Sequence, residues 1–174
     1  MGRYLITGLG GSGKSKICEL LKEHGFFALD GDEIDGLSRW EDAKSGKPIK
    51  VDHTKYVDYE KVAWNWSPAI LKKLVSDHSQ LFLCGSSSNE FEFIDLFDKV
   101  FVLMLDQSAH EHRLKTRQSD YGKDPKTFAW LVAERTNFVN HAIKLGAISI
   151  DANRSPEDTV DQIISYTDEH PRLA

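Results

Sequence analysis

A chain of 174 residues is long enough to bury a proper core and is expected to form one domain, 1–174. Hydrophobic and charged shares of 40% and 28% are ordinary for a globular protein, and 27 acids against 22 Lys+Arg give a net charge of −5, which argues against a nucleic-acid coat or a membrane-surface protein. No apolar run approaches the roughly 18 residues of a membrane span, the first apolar run is too short for a secretory leader, and Cys18 and Cys84 follow no metal or redox spacing, so a cytoplasmic protein with reduced core thiols is expected.

In chain order, residues 3–7 carry the run Tyr4-Leu5-Ile6-Thr7 and read as a first strand. The next eight, Gly8-Leu9-Gly10-Gly11-Ser12-Gly13-Lys14-Ser15, have the spacing G-x-x-x-x-G-K-S of the phosphate-binding P-loop. Glycines let backbone approach a polyphosphate because no Cβ stands in the way. The N–H groups of Gly8, Gly10, Gly11, Ser12 and Gly13, with the positive end of the following helix, then face the anion. In this motif Lys14 reaches the β/γ-phosphates and the Ser15 hydroxyl ligates Mg²⁺, with Lys16 next to them. The helix is expected over 14–24, with Gly25 as its stop.

Phe26-Phe27-Ala28-Leu29 is a second short apolar run and ends in Asp30-Gly31-Asp32-Glu33. Residues 36–55 are polar, marked by Gly46 and Pro48, and read as a loop or mobile insertion with Arg39-Trp40 near its start. Residues 56–66 are expected as a helix carrying Tyr59, Val62, Ala63 and Trp66 on one side. Ser67-Pro68 signals a further helix to about residue 77. Leu81-Phe82-Leu83-Cys84 is the third strand, followed by the small polar loop 85–89 and a short helix near 90–96. Residues 100–105 form the fourth strand; Asp106, placed like a Walker B acid, reads more simply as the N-cap of a helix to about 117. A polar break over 118–125, the longest helix over 125–145, a fifth strand at 147–150, a loop at 151–154 and a last helix from Ser155-Pro156 to about 169 complete the chain.

Five apolar strands alternating with helices predict an α/β domain with a parallel, helix-covered sheet. Ligands of such folds bind beyond the carboxyl ends of the strands. The P-loop, Asp30-Gly31-Asp32 and the segments 85–89, 118–124 and 151–154 are therefore expected on one face.

Three functional classes share the P-loop: small-molecule kinases, GTP switches and assembly ATPases. The D-x-x-G and N-K-x-D strings of a GTP switch are absent, and so is the longer core of an assembly ATPase. The chain resembles the small P-loop kinases of the adenylate kinase, gluconate kinase and adenylylsulfate kinase group. Three stretches carry the resemblance: residues 8–15, Leu29-Asp30-Gly31-Asp32, and Arg113-Leu114-Lys115-Thr116-Arg117 followed by a polar segment and a long helix, similar to their lid. It implies a three-layer α/β/α P-loop kinase fold with a five-stranded parallel sheet and a short lid at 113–125, binding ATP with Mg²⁺. Residues 36–80, with Trp40, Trp64 and Trp66, match no acceptor-binding pattern of that group and are expected to form the acceptor insertion.

With Lys14 neutralising phosphate charge, Asp32 is the expected base for an acceptor hydroxyl and a ligand of Mg²⁺ with Ser15, while Asp30 assists. Arg113 and Arg117 share a helix face and are expected to clamp phosphate, the resemblance favouring Arg117 as the catalytic one. The resemblance also puts the adenine near Asn153. The tryptophans either fill core or line an acceptor pocket; on the second reading Arg39, Trp40, Trp66, Ser86, Asn89 and Arg135 join Asp30 and Asp32 in holding the acceptor. The expected activity is transfer of the γ-phosphoryl group of ATP to a hydroxyl of a small acceptor by a monomer or homodimer. A nucleoside monophosphate kinase and a nucleotide-binding regulatory protein with weak ATPase activity are the alternatives.

Overall fold

The computed structural model describes residues 2–167. Its elements are β1 (Arg3–Thr7), α1 (Lys14–Glu23), β2 (Ala28–Asp30), β3 (Ser38–Asp42), β4 (Val62–Trp66), α2 (Pro68–Asp77), β5 (Leu81–Cys84), β6 (Lys99–Met104), α3 (Gln107–Thr116), α4 (Pro125–Lys144), β7 (Ile148–Asp151) and α5 (Pro156–Ser165), with short 3-10 turns at Gly31–Glu33 and Glu90–Leu96. β2, β5, β1, β6 and β7 form, in that order, an all-parallel five-stranded sheet. With helices on both faces, this is the three-layer α/β/α architecture of the P-loop kinase fold.

The sheet strands are mostly apolar, their polar residues standing mainly at the ends, because both faces are covered. Side chains alternate across the sheet. Tyr4 and Ile6 therefore join Phe82 and Phe101 against Ile17, Leu20 and Leu21 of α1 and Val160 and Ile163 of α5. Leu5 and Leu83 point the other way, into a core with Leu71 and Val75 of α2, while Val102 meets Val139 and Ala142 of α4. On α1 the buried positions 17, 18, 20 and 21 recur at helical spacing, so the strand–loop–helix unit around the P-loop is anchored by its own amphipathic pattern. Parallel pairing brings every carboxyl strand end to one edge, where β1 opens between β5 and β6.

Two local expectations are corrected. Residues 62–66 are strand, not the end of a helix, and 38–42 is strand within the stretch read as loop. β3 and β4 pair antiparallel, with Trp40 opposite Trp64 and Ser38 opposite Trp66. Trp64-Asn65-Trp66 alternates with period two, so one tryptophan faces one side of the hairpin and the next the other; helical spacing was the wrong period to apply. Asp106 caps α3 through the Ala109 N–H at 2.8 Å, and Ser155 caps α5 through the Asp158 N–H at 3.1 Å, as expected. Ser67 makes no side-chain cap, and its N–H instead donates to Leu37 O at 2.7 Å. The part of the last expected helix beyond residue 167 lies outside the described residues. No helix among the described residues is long and apolar enough to cross a membrane.

Candidate active site

At the carboxyl edge of the sheet a cavity of about 870 Å³ is lined by the P-loop, the end of β2, the β3–β4 hairpin, the 86–88 loop, the 113–121 segment and α4. Its floor is the P-loop. Gly13 has φ +103°, and a Cβ there would stand 2.9 Å from Arg113 Nη1. A Cβ on Gly10 would stand 2.6 Å from the Tyr121 ring, so this loop admits no side chain where the segment after α3 rests on it. From below, His110 Nε2 lies 2.8 Å from Gly10 O.

Lys14 Nζ donates to Gly8 O at 2.6 Å and Leu9 O at 3.3 Å, within the loop itself. Burial lowers its pKa, while Asp32, Glu90 and Asp30 pull it back up and Arg117 opposes them. Asp32 stands on the cavity wall and Asp30 beside it; the Asp30 carboxylate accepts from Asp32 N–H at 3.0 Å and caps the turn that presents Asp32. The protein packed around Asp32 raises its carboxyl above the ordinary value. Lys14, a hydrogen bond from the Trp64 side chain and Arg117 act against that rise, and Asp30 adds to it. Such a carboxyl is a stronger base than a solvated aspartate.

The two arginines of the 113–117 segment differ. Arg113 donates to Ser12 O at 2.8 Å and Ala152 O at 2.6 Å, tying the P-loop to the loop after β7. Arg117 lies 5.7 Å from the Tyr121 ring, near Asp32, and its buried Nη1 has no partner among the described residues. A buried guanidinium N–H left unpaired beside a glycine cradle suits an anionic ligand. Ser15, Asp30 and Asp32 add hard oxygen donors to the same cavity, which fits Mg²⁺ accompanying a polyphosphate. Lys16 also reaches the wall and is exposed, paired with Glu19 at 3.2 Å.

The acceptor-side expectations divide. Trp40 and Ser86 line the cavity with Asp30 and Asp32. Trp66 is 1% exposed and belongs to the core with Leu71 and Val75. Arg39 is off the wall, paired with Glu41 at 2.6 Å. Asn89 binds both Trp66 N–H at 2.9 Å and Trp66 O at 3.1 Å, fastening the hairpin to the 85–89 loop. Arg135 is turned to Val132 O at 3.1 Å and lines only a small void under the P-loop. Asn153 is occupied with Asp106 N–H at 2.9 Å and Asp151 at 2.8 Å.

In their place stand aromatics that come from separate segments: Tyr59, Trp64, Tyr121 and Trp130, around Trp40. Trp40 and Trp64 have centroids 5.2 Å apart; Tyr59 stacks on Trp130 at 4.2 Å. The Tyr59 and Tyr121 hydroxyls meet in a hydrogen bond. Val57 N–H donates to Thr127 Oγ1 at 3.1 Å, so the connection between β3 and β4 is docked on α4. The period-two pattern at 62–66 was a signal for Trp64; nothing local marks Tyr59, Tyr121 or Trp130. Glu90, also unforeseen, is fully buried behind this region.

No protein-family profile and no curated protein matches the chain. Solved structures do. A gluconokinase from Sinorhizobium meliloti 1021 has TM-score 0.55 at 14% identity, covering 94% of this chain and 90% of that one. A deoxyadenosine kinase from M. mycoides has TM-score 0.54 at 13% identity, covering 94% and 97%, and its structure with dATP gives 0.55 at 13%. The fold is that of the P-loop kinases, shared over nearly the whole length of both chains.

Proposed function

We propose that the protein is an ATP- and Mg²⁺-dependent small-molecule kinase that transfers the γ-phosphoryl group to a hydroxyl of a small acceptor. The observation that carries this is the meeting of Lys14, Asp32 and Arg117 in one cavity whose floor is the P-loop and whose far wall is aromatic. Asp32 takes the proton of the acceptor hydroxyl as its oxygen forms the bond to phosphorus and the bridge to the leaving diphosphate breaks. Lys14 and the loop amides hold the phosphate charge; Arg117 steadies the charge that develops during transfer. Mg²⁺, held from the protein side by Ser15 and Asp32, would neutralise the phosphate oxygens. Phe91, Phe138 and the tryptophans keep water from competing with the acceptor.

The cavity's lysines and arginines, Lys14, Lys16, Arg113 and Arg117, come from the P-loop, the start of α1 and the 113–117 segment; Arg117 stands beside Tyr121, and none comes from the Trp40, Tyr59, Trp64 and Trp130 part of the wall. A hydroxyl acceptor is thereby supported over a phosphate-bearing one. The buried, free thiols of Cys18 and Cys84 suit a reducing cytoplasm. The test is ADP release from Mg²⁺-ATP against nucleosides, nucleotides, sugars, sugar acids and cofactor precursors. Saturable stimulation by an acceptor supports the kinase; slow hydrolysis untouched by every acceptor supports the regulatory alternative.

A further inference from the structure

Glu90 has no part in the chemistry above, yet it is connected to the first residue of the P-loop. Thr7 Oγ1–H donates to Glu90 Oε1 at 2.7 Å, and the same Thr7 oxygen accepts from Gly8 N–H at 2.6 Å. Ser87 N–H donates to Oε2 at 2.6 Å. The carboxyl is therefore met by uncharged donors from β1 and from the loop after β5. Lys14, from the P-loop side, is the charged group whose field reaches it. Beyond Lys14 stand Asp32, Asp30 and Arg117, and on the α4 side His141 packs edge-on against Phe91, the residue after Glu90, at 5.1 Å.

A hydroxyl has one proton and two lone pairs. Facing a carboxylate, Thr7 donates to it. Facing a carboxylic acid, Thr7 accepts from it and still accepts from Gly8. The contact thus survives both states of Glu90, and the change between them is one negative charge buried behind a loop that receives a polyanion. In a low-dielectric interior that charge acts strongly on a neighbouring anion.

We propose that Glu90 sets the anion affinity of the P-loop, which takes up a polyphosphate together with one solvent proton that Glu90 holds. The proton adds to a Glu90 carboxylate oxygen and no bond of the ligand changes. The inference rests on the phosphate-binding reading of the loop. Burial also pushes the Glu90 carboxyl up to about 7, against the pull of Thr7, Ser87 and Lys14, so the group changes charge in the range where such a protein works.

The test is the affinity of the purified protein for Mg²⁺-ATP, and separately for inorganic tripolyphosphate, at about pH 6 and about pH 8.5, on either side of the titration. Glu90→Gln, a fixed stand-in for the neutral state, is compared throughout, which cancels the ligand's own titration. At the lower pH the two proteins should agree within about twofold; at the higher pH Glu90→Gln should bind about tenfold more tightly. Calorimetry in buffers of different ionisation enthalpy should show proton uptake by the wild type that exceeds that of the variant. Identical pH profiles, or weaker binding by Glu90→Gln at high pH, would overturn the proposal. If Glu90→Gln does not fold, Thr7→Val removes a donor to the ionised form and should move the midpoint of the wild-type profile upward; an unmoved midpoint counts against Glu90. Binding with a flat profile sinks this inference alone. No binding of either ligand at either pH sinks the phosphate-binding reading and this inference with it.

Discussion

The P-loop floor is held largely from within eight residues, Ser12 N–H on Leu9 O and Lys14 Nζ on Gly8 O, and propped from α3 by His110 and Arg113, whereas the aromatic wall brings Trp40, Tyr59, Trp64, Tyr121 and Trp130 together from five segments. The floor is backbone and charge, positioned by the strand before it and the helix after it. The wall is side-chain surface, held by stacking, the Tyr59–Tyr121 hydrogen bond and docking on α4. Local construction makes a site that is rigid and recognisable; assembly from distant segments makes one whose shape can change while the floor does not. On the proposed function, the floor handles the phosphates common to all such enzymes and the wall handles the particular acceptor.

That division can be broken experimentally, beginning at the floor. Lys14→Met should reduce phosphoryl transfer by roughly a thousandfold or more, since it removes the charge aimed at the phosphates, while circular dichroism and thermal unfolding stay close to wild type. Retained turnover would show that the floor is not the phosphate site. Asp32→Asn should lower kcat by about 10²–10⁴-fold and leave nucleotide affinity nearly unchanged. A loss of affinity with kcat preserved would make Asp32 a binding group rather than the base.

Glu90 lies between the two regions and gives a pH signature. Its carboxyl is near 7 in the fold and close to 4.3 in an unfolded chain, so between those values the folded state binds more protons than the unfolded one. Stability from this group is full below about pH 4, falls as pH rises toward 7 and is gone above it, a loss on the order of 4 kcal/mol. Glu90→Gln lacks that loss. Its thermal midpoint relative to wild type should therefore rise between about pH 5 and pH 8, and a constant difference across that range would contradict the assignment.

Changes in the wall should be smaller and should leave ATP binding alone. Trp64→Ala should raise the acceptor KM by about tenfold, the scale of losing one aromatic contact, and it also removes a hydrogen bond to Asp32. The KM for ATP should hold; a parallel rise in both would erase the distinction between floor and wall. Least of all, Tyr59→Phe and Tyr121→Phe should show a coupling of about 1 kcal/mol in a double-mutant cycle of unfolding. Additive effects would mean that the two hydroxyls do not hold the hairpin connection to the lid.

Much of the floor was legible because its physics is local. Residues 8–15 carry the glycine spacing of a P-loop, and the apolar run at 3–7 and helical spacing at 17, 20 and 21 supply their context. Asp106 was legible as a cap for the same reason: its partner, the Ala109 N–H, is three residues away. The wall was misread where the wrong period was applied. The aromatic-pocket reading of the tryptophans puts Trp66 at the acceptor and the helical period at 56–66 does not separate it from Trp64, while strand alternation buries Trp66 in the core and turns Trp64 to the cavity. The arginines show the same limit. Resemblance favours Arg117 over Arg113, but their surroundings are not legible in the chain: Arg39 pairs with Glu41, Arg113 holds two carbonyls, Arg135 turns back on its helix, and Arg117 keeps a buried N–H without a partner among the described residues.

By itself the sequence determined the parallel α/β architecture, the glycine-rich loop between first strand and first helix, and the acids after the second strand, because apolar periodicity and glycine spacing act over a few residues. Tertiary structure alone decided which aromatics form the far wall of the cavity, which of its two arginines keeps an N–H without a partner among the described residues, and that Glu90 is buried behind the P-loop. Those depend on contacts such as Thr7 to Glu90, 83 residues apart, whose partners are chosen by the packing of the whole sheet and not by any neighbour in the chain.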